Sequence, residues 1–267
     1  MRNGEVGEGS EMLYVAMTFW LLVTVLVAWG VHYLWSGMIQ AKVFNALLLP
    51  GTLVAQIGHV VGTLITGGTI SNTTLFKDDE AGSPETTPDP SPRIPFVGPV
   101  IIGMLPLVAC GAGIYLLSQH YVGRVVPALR VHAVGPVLPT TIDGFWQMLR
   151  DQVSLMEAFV GSATAADFSN IHTWVFLYLL ICLAVRIAPF PGNLRGSLGA
   201  ILVLGLLAAL LTSLFDVSDP RVRQAWSVLN LTFAALVFLL CLSLMIRGMV
   251  GLYQIIRYEE PVAIRNA

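Results

Sequence analysis

Long apolar runs separated by short polar stretches set the frame of the chain. Leu13 to Trp35 carries no Asp, Glu, Lys or Arg. At about 1.5 Å per residue it is long enough for the roughly 30 Å hydrocarbon core of a bilayer. Comparable runs at 43–66, 96–117, 171–188, 194–215 and 226–256 predict further crossings. The pattern therefore gives an all-α polytopic membrane protein, about six transmembrane helices forming one domain over 1–267. Trp20, Trp29, Tyr33 and Trp35 are candidates for an aromatic belt, and His32 beside them reads as an interfacial histidine. The second run contains Pro50, and the third contains Pro99, Gly103, Pro106, Gly111 and Gly113. Such helices are expected to bend or break, with neighbouring helices receiving the freed backbone groups.

Two polar stretches interrupt this frame. Residues 67–95 hold Lys77-Asp78-Asp79-Glu80 followed by Pro84, Pro88, Pro90 and Pro92, too little apolar surface to order itself, which predicts a mobile polar loop. Residues 118–170 form an extramembrane segment. Its first part, through Pro139, carries His120, Arg124, Arg130 and His132 and reads as irregular. From Ile142 to Val160 the apolar residues Ile142, Phe145, Trp146, Leu149, Val153, Met156 and Val160 recur at helical spacing, so an amphipathic helix is expected to lie in the interface or cap the bundle. Gly161 to Asn170 reads as a linker.

Composition narrows the classes. Of 267 residues 55% are hydrophobic and only 11% charged, against roughly 25% charged in a soluble domain. The net charge of −2 leaves no basic field, so nucleic acid is not an expected partner. Cys110, Cys182 and Cys241 fall in separate apolar runs without metal-knuckle spacing and behave as small core residues. The acidic N-terminus and the long run behind it predict a retained first helix rather than a cleaved signal. Lys and Arg near the helix ends are almost evenly divided between the two sides and do not orient the chain.

Candidate chemistry is concentrated between Leu47 and Gly68, LLLPGTLVAQIGHVVGTLITGG. A zinc-protease helix carries H-E-x-x-H, because histidines four apart share one helical face and the glutamate polarises a metal-bound water. The corresponding residues here are Ala55, Gln56, Ile57, Gly58 and His59. Gly58 and Gly62 form a G-x-x-x-G pair that invites close approach of another helix. That approach would bury His59 as an interhelical hydrogen-bonding residue, as part of a polar ligand pocket, or as the remainder of a metal site.

With Pro50-Gly51 before it, the Gly67-Gly68 exit after it, and Pro189-Phe190-Pro191-Gly192-Asn193-Leu194-Arg195-Gly196 further on, this helix resembles the intramembrane metalloproteases of the site-2 protease type. In that family an aspartate in a Pro-Ser-x-x-Asp-Leu-Arg-Gly-like stretch is a further metal ligand. The resemblance implies that Asn193 stands at that aspartate, and that Ala55, Gln56, His59 and Asn193 are a remnant motif. Gly58, Gly62, Pro106 and Pro189 would line the old cleft. It further implies a pseudoprotease with no catalytic residue, no bound metal and no cofactor, acting as a binding or scaffolding subunit. Its expected partners are the lipid bilayer and another membrane protein or membrane-embedded peptide, and both termini are expected to be cytoplasmic. Two alternatives stand beside it. One is an active zinc-dependent protease in which His32, His132, His172 or Asp167 joins His59; the other is a transporter-like subunit.

Overall fold

The computed structural model describes residues 3–68, 70–73, 86–88, 97–125, 141–165, 167–188, 194–214 and 220–258. Over these the chain folds as helices α1 (Asn3–Ser36), α2 (Ala41–Leu47), α3 (Leu49–Ile65), α4 (Val97–Val125), α5 (Ile142–Ala165), α6 (Ile171–Val185), α7 (Leu194–Leu214) and α8 (Pro220–Tyr258). A short antiparallel hairpin, β1 (Ile70–Thr73) with β2 (Thr86–Pro88), is the strand structure among them. Three stretches are long and apolar enough to cross a membrane: Leu13–Ser36, Val97–Tyr121 and Trp226–Ile256. Leu49–Ile65, Ile171–Val185 and Gly196–Ala208 are shorter apolar helices.

Local chemistry explains where the elements end, and where they depart from expectation. The second run is two helices rather than one bent span. Pro50 occupies the first turn of α3, where its missing N–H costs nothing, and the helix breaks before it at Leu48 (φ −93°, ψ 12°). At this break the Leu47 carbonyl accepts from Tyr178 Oη at 2.8 Å and Cys182 Sγ at 3.4 Å, both on α6. The exit of α3 is a Schellman turn: Gly67 adopts φ 75°, Gly68 N–H donates to Thr63 O (2.9 Å) and Gly67 N–H to Leu64 O (3.1 Å).

The third run is one uninterrupted helix through Pro106, and it continues to Val125, so His120 and Arg124 are helical rather than irregular. The amphipathic helix also overruns its expected end at Val160, reaching Ala165 and absorbing the start of the expected linker. Within 67–95, the described strands pair with each other, while 74–85 and 89–95 lie outside the described residues.

Contacts along the bundle fix its directions. Trp20 meets Phe233, Gly30 faces Leu240, and Trp35 Nε1 donates to Ser243 Oγ at 2.7 Å, so α1 and α8 run parallel. Gly58 lies against Leu105 and Pro106, and Gly62 against Ile102, so α3 runs antiparallel to α4. Down the other side of α4, Tyr121 lies beside Phe176, Gly113 beside Leu183 and Cys110 beside Arg186, and then Gly103 beside Gly196 and Val100 beside Gly199. Helices α6 and α7 therefore descend along α4 in the same direction, one after the other. The apolar core centred on Phe44, Leu48, Ala55, Cys110, Ile114, Phe176 and Leu180 lies among α1, α2, α3, α4, α6, α7 and α8. A second cluster joins α5 to α1 and α8 through Trp20, Met148, Trp226 and Phe233.

Candidate functional site

Ala55, Gln56 and His59, three of the four residues expected as a remnant motif, lie on α3 and are buried or half-buried. Ala55 has no exposed surface and belongs to the main core. Gln56 is buried, His59 is half-buried, and each has an interaction partner. A Cβ added at Gly58 would stand 2.7 Å from the Leu105 carbonyl oxygen and 2.8 Å from Pro106 Cα, so only glycine lets the two backbones meet here. Of the residues expected to line a cleft, Gly58 thus packs directly on Pro106, and Gly62 packs on Ile102. Asn193 and Pro189 lie outside the described residues. The neighbouring Gly196 meets α4 at Gly103, a few residues from the level where Gly58 meets Leu105 and Pro106. The motif helix and the start of α7 therefore reach α4 at one level, from different faces.

The other described histidines lie against aromatic rings, His120 and His172 both beside Tyr121. His32 lies against Phe44, with ring centroids 5.1 Å apart and the planes tilted by 58°. His172 is exposed, its backbone N–H capped by Asn170 Oδ1, and Asp167 Oδ1 caps the Ser169 N–H. His132 lies outside the described residues. Among the described residues no three His, Cys, Asp or Glu side chains come together as a metal would require.

A second polar site, more deeply buried, sits where α6 ends. Arg186 is the residue after its last turn, and its carbonyl lies 3.8 Å from Sγ of Cys110, near the midpoint of the Val97–Tyr121 stretch. The side chain passes along Gly51, whose own Cβ would collide with the Cys182 carbonyl. Arg186 is only 4% exposed and Asn45 2%. Arg186 Nη2 donates to Asn45 Oδ1 at 3.0 Å, and its Cζ lies 5.5 Å from the centre of the Phe44 ring, which also carries His32.

In the sequence Arg186 is one of the arginines near helix ends, and Asn45 carries no signal of its own. The signal that was present is an arginine inside an otherwise apolar run. A guanidinium cannot shed its proton at ordinary pH, and an intramembrane charge is costly unless paired. Yet Arg186 forms no ion pair among the described residues. Arg186 Nε, Asn45 Nδ2 and His32 Nδ1 are each buried without a hydrogen-bond partner among those residues. No family model, curated protein or solved structure matches the chain.

Proposed function

We propose that this membrane protein keeps the layout of a site-2-type intramembrane metalloprotease with its zinc chemistry removed, and that it works by binding within the membrane rather than by cleavage. The observation that carries this reading is Ala55. Where a first histidine ligand would need room to reach a metal, a methyl group is closed into the core with no exposed surface. An amide at Gln56 cannot take up a proton as the glutamate of the motif does. The shared level of Gly58 and Gly196 on α4 further supports a common origin for the two remnant pieces. Metal analysis of protein purified from membranes without added metal tests the reading. Well below 0.1 equivalent of zinc is expected; one equivalent that disappears in His59→Ala would overturn it and restore the protease alternative.

The parallel course of α1 and α8 bears on the crossing number. We count five crossings, α1, α3, α4, α6 with α7 in series, and α8, in place of six separate spans. At 15 residues, α6 rises only about 22 Å, short of the roughly 30 Å core. A helix interrupted at membrane depth is a feature of binding sites in transporters, and it favours a transporter-like subunit as the second reading. Uptake of labelled solutes into liposomes carrying the protein would support that second reading, and its absence would leave binding.

A further inference from the structure

We infer that Arg186 and Asn45, with His32 close by, form a receptor for one carboxylate group, taken up at the point where α6 breaks off inside the bundle. The site is distinct from the remnant motif, and the inference holds or fails independently of it.

Arg186 supplies a permanent positive charge with no carboxylate paired to it among the described residues. An unpaired intramembrane cation is expensive, and such residues mark ligand and ion sites. The arginine is not merely stranded. It is held by a hydrogen bond to Asn45, floored by Phe44, and passed close to the backbone through Gly51, where no side chain would fit. That fixed placement leaves Nε unused. The amide that holds Arg186 through Oδ1 has its own N–H2 group unpartnered, and the His32 imidazole, beside the same Phe44 ring, has Nδ1 unpartnered.

The charge and the donors together specify the occupant. One cation in an apolar surround compensates one negative charge, which disfavours a phosphate dianion. Two orphan N–H donors, on a guanidinium and on an amide joined by one hydrogen bond, call for two acceptor atoms on one small group. A carboxylate has two oxygens, one for each of these donors, whereas a halide offers a single acceptor point. Its source is either a short free acid or the head of an acyl chain lying between helices, and both present the same group.

The experiment uses the full-length chain in lipid nanodiscs and follows carboxyl-13C acetate and carboxyl-13C octanoate by NMR, with octanol and chloride as controls. Saturable binding of about one equivalent is expected for wild type, competed by neither octanol nor chloride. Binding of acetate identifies a free small acid as sufficient; binding of octanoate alone identifies an acyl-chain source. Arg186→Leu is expected to abolish binding and Asn45→Leu to weaken it at least tenfold. Arg186→Lys keeps the charge but loses the Nε–H donor, and is expected to bind about tenfold more weakly. Wild-type protein that binds neither acid, or binds octanol or chloride as well, would overturn the inference whether or not the variants fold. So would undiminished binding by folded Arg186→Leu.

Discussion

At the scale of single residues, the decisive feature is how closely backbone approaches backbone. Gly58 and Gly111 stand on neighbouring helices of the same bundle, yet their Cβ positions differ completely. At Gly58 the new atom would enter the Leu105–Pro106 backbone, and at Gly111 it would meet nothing within 4 Å. Overpacking of this kind costs about 1–3 kcal/mol, while an alanine in open space gains up to about 1 kcal/mol of helix propensity. Thermal unfolding in a fixed detergent should therefore show Gly58→Ala clearly below wild type and Gly111→Ala at or above it. Equal melting temperatures for the two would mean that α3 and α4 do not touch as described. Arg186 belongs to this scale too. Its sequence neighbours announce a membrane helix, but nothing in the run itself tells whether the charge reaches outward to headgroups or inward to Asn45, because that choice depends on Phe44 of α2 and Gly51 of α3.

At the scale of elements, α5 is held by a polar clasp as well as by apolar packing. Gln152 Nε2 donates to Asn230 Oδ1 at 2.7 Å, both side chains are buried, and Asn230 Nδ2 donates in turn to the Trp226 carbonyl at 2.9 Å. Removing one partner strands the other, at about 1–3 kcal/mol, whereas replacing both with apolar groups of similar size is close to neutral. The expected pattern is a lower melting temperature for Gln152→Ala and recovery in the pair Gln152→Leu with Asn230→Leu; an additive loss in the pair would remove the clasp from the account.

The amphipathic pattern of 142–160 gave the helix but not its docking. Phe145 and Leu149 of the expected stripe pack inward with Met148 and Gln152, while Ile142, Trp146 and Val153 of the same stripe are exposed, so the inward side overlaps the stripe only in part. Helix existence was legible throughout, since long apolar runs admit little else in a bilayer. Pro50 marked a discontinuity that was read as a bend and is a helix start. Gly58 and Gly196 stand plainly in the sequence, but their common level on α4 does not, because spacing along the chain carries no information about which face of a third helix each will meet.

At the scale of the whole molecule, the directions of helices matter more than their number. Six apolar runs read as six crossings would return the chain to the side from which it began. The contacts of Trp20, Gly30 and Trp35 with Phe233, Leu240 and Ser243 give α1 and α8 the same heading. If both cross the bilayer, the N-terminus and the end of α8 emerge on opposite faces, contrary to the expectation of two cytoplasmic termini. Reporter fusions sensitive to compartment, placed before Met1 and after Ala267, should give opposite responses; identical responses would rule out five crossings and favour an even number. The two serial helices α6 and α7 reconcile the runs with the headings, and their break coincides with Arg186.

The far half of α8 has a consequence of its own. From Leu244 to Ile256 almost every large apolar side chain is exposed, including Met245, Met249, Leu252, Tyr253 and Ile255. Its apolar stretch of 31 residues rises about 46 Å, well beyond the roughly 30 Å of an average hydrocarbon layer. Such an excess is relieved by tilting or by local thickening of the lipid, and the segment with few neighbours among the described residues is the one at liberty to lean. Changes in acyl-chain length should therefore be absorbed by this outer mast, leaving the clamp around Asn45 undisturbed.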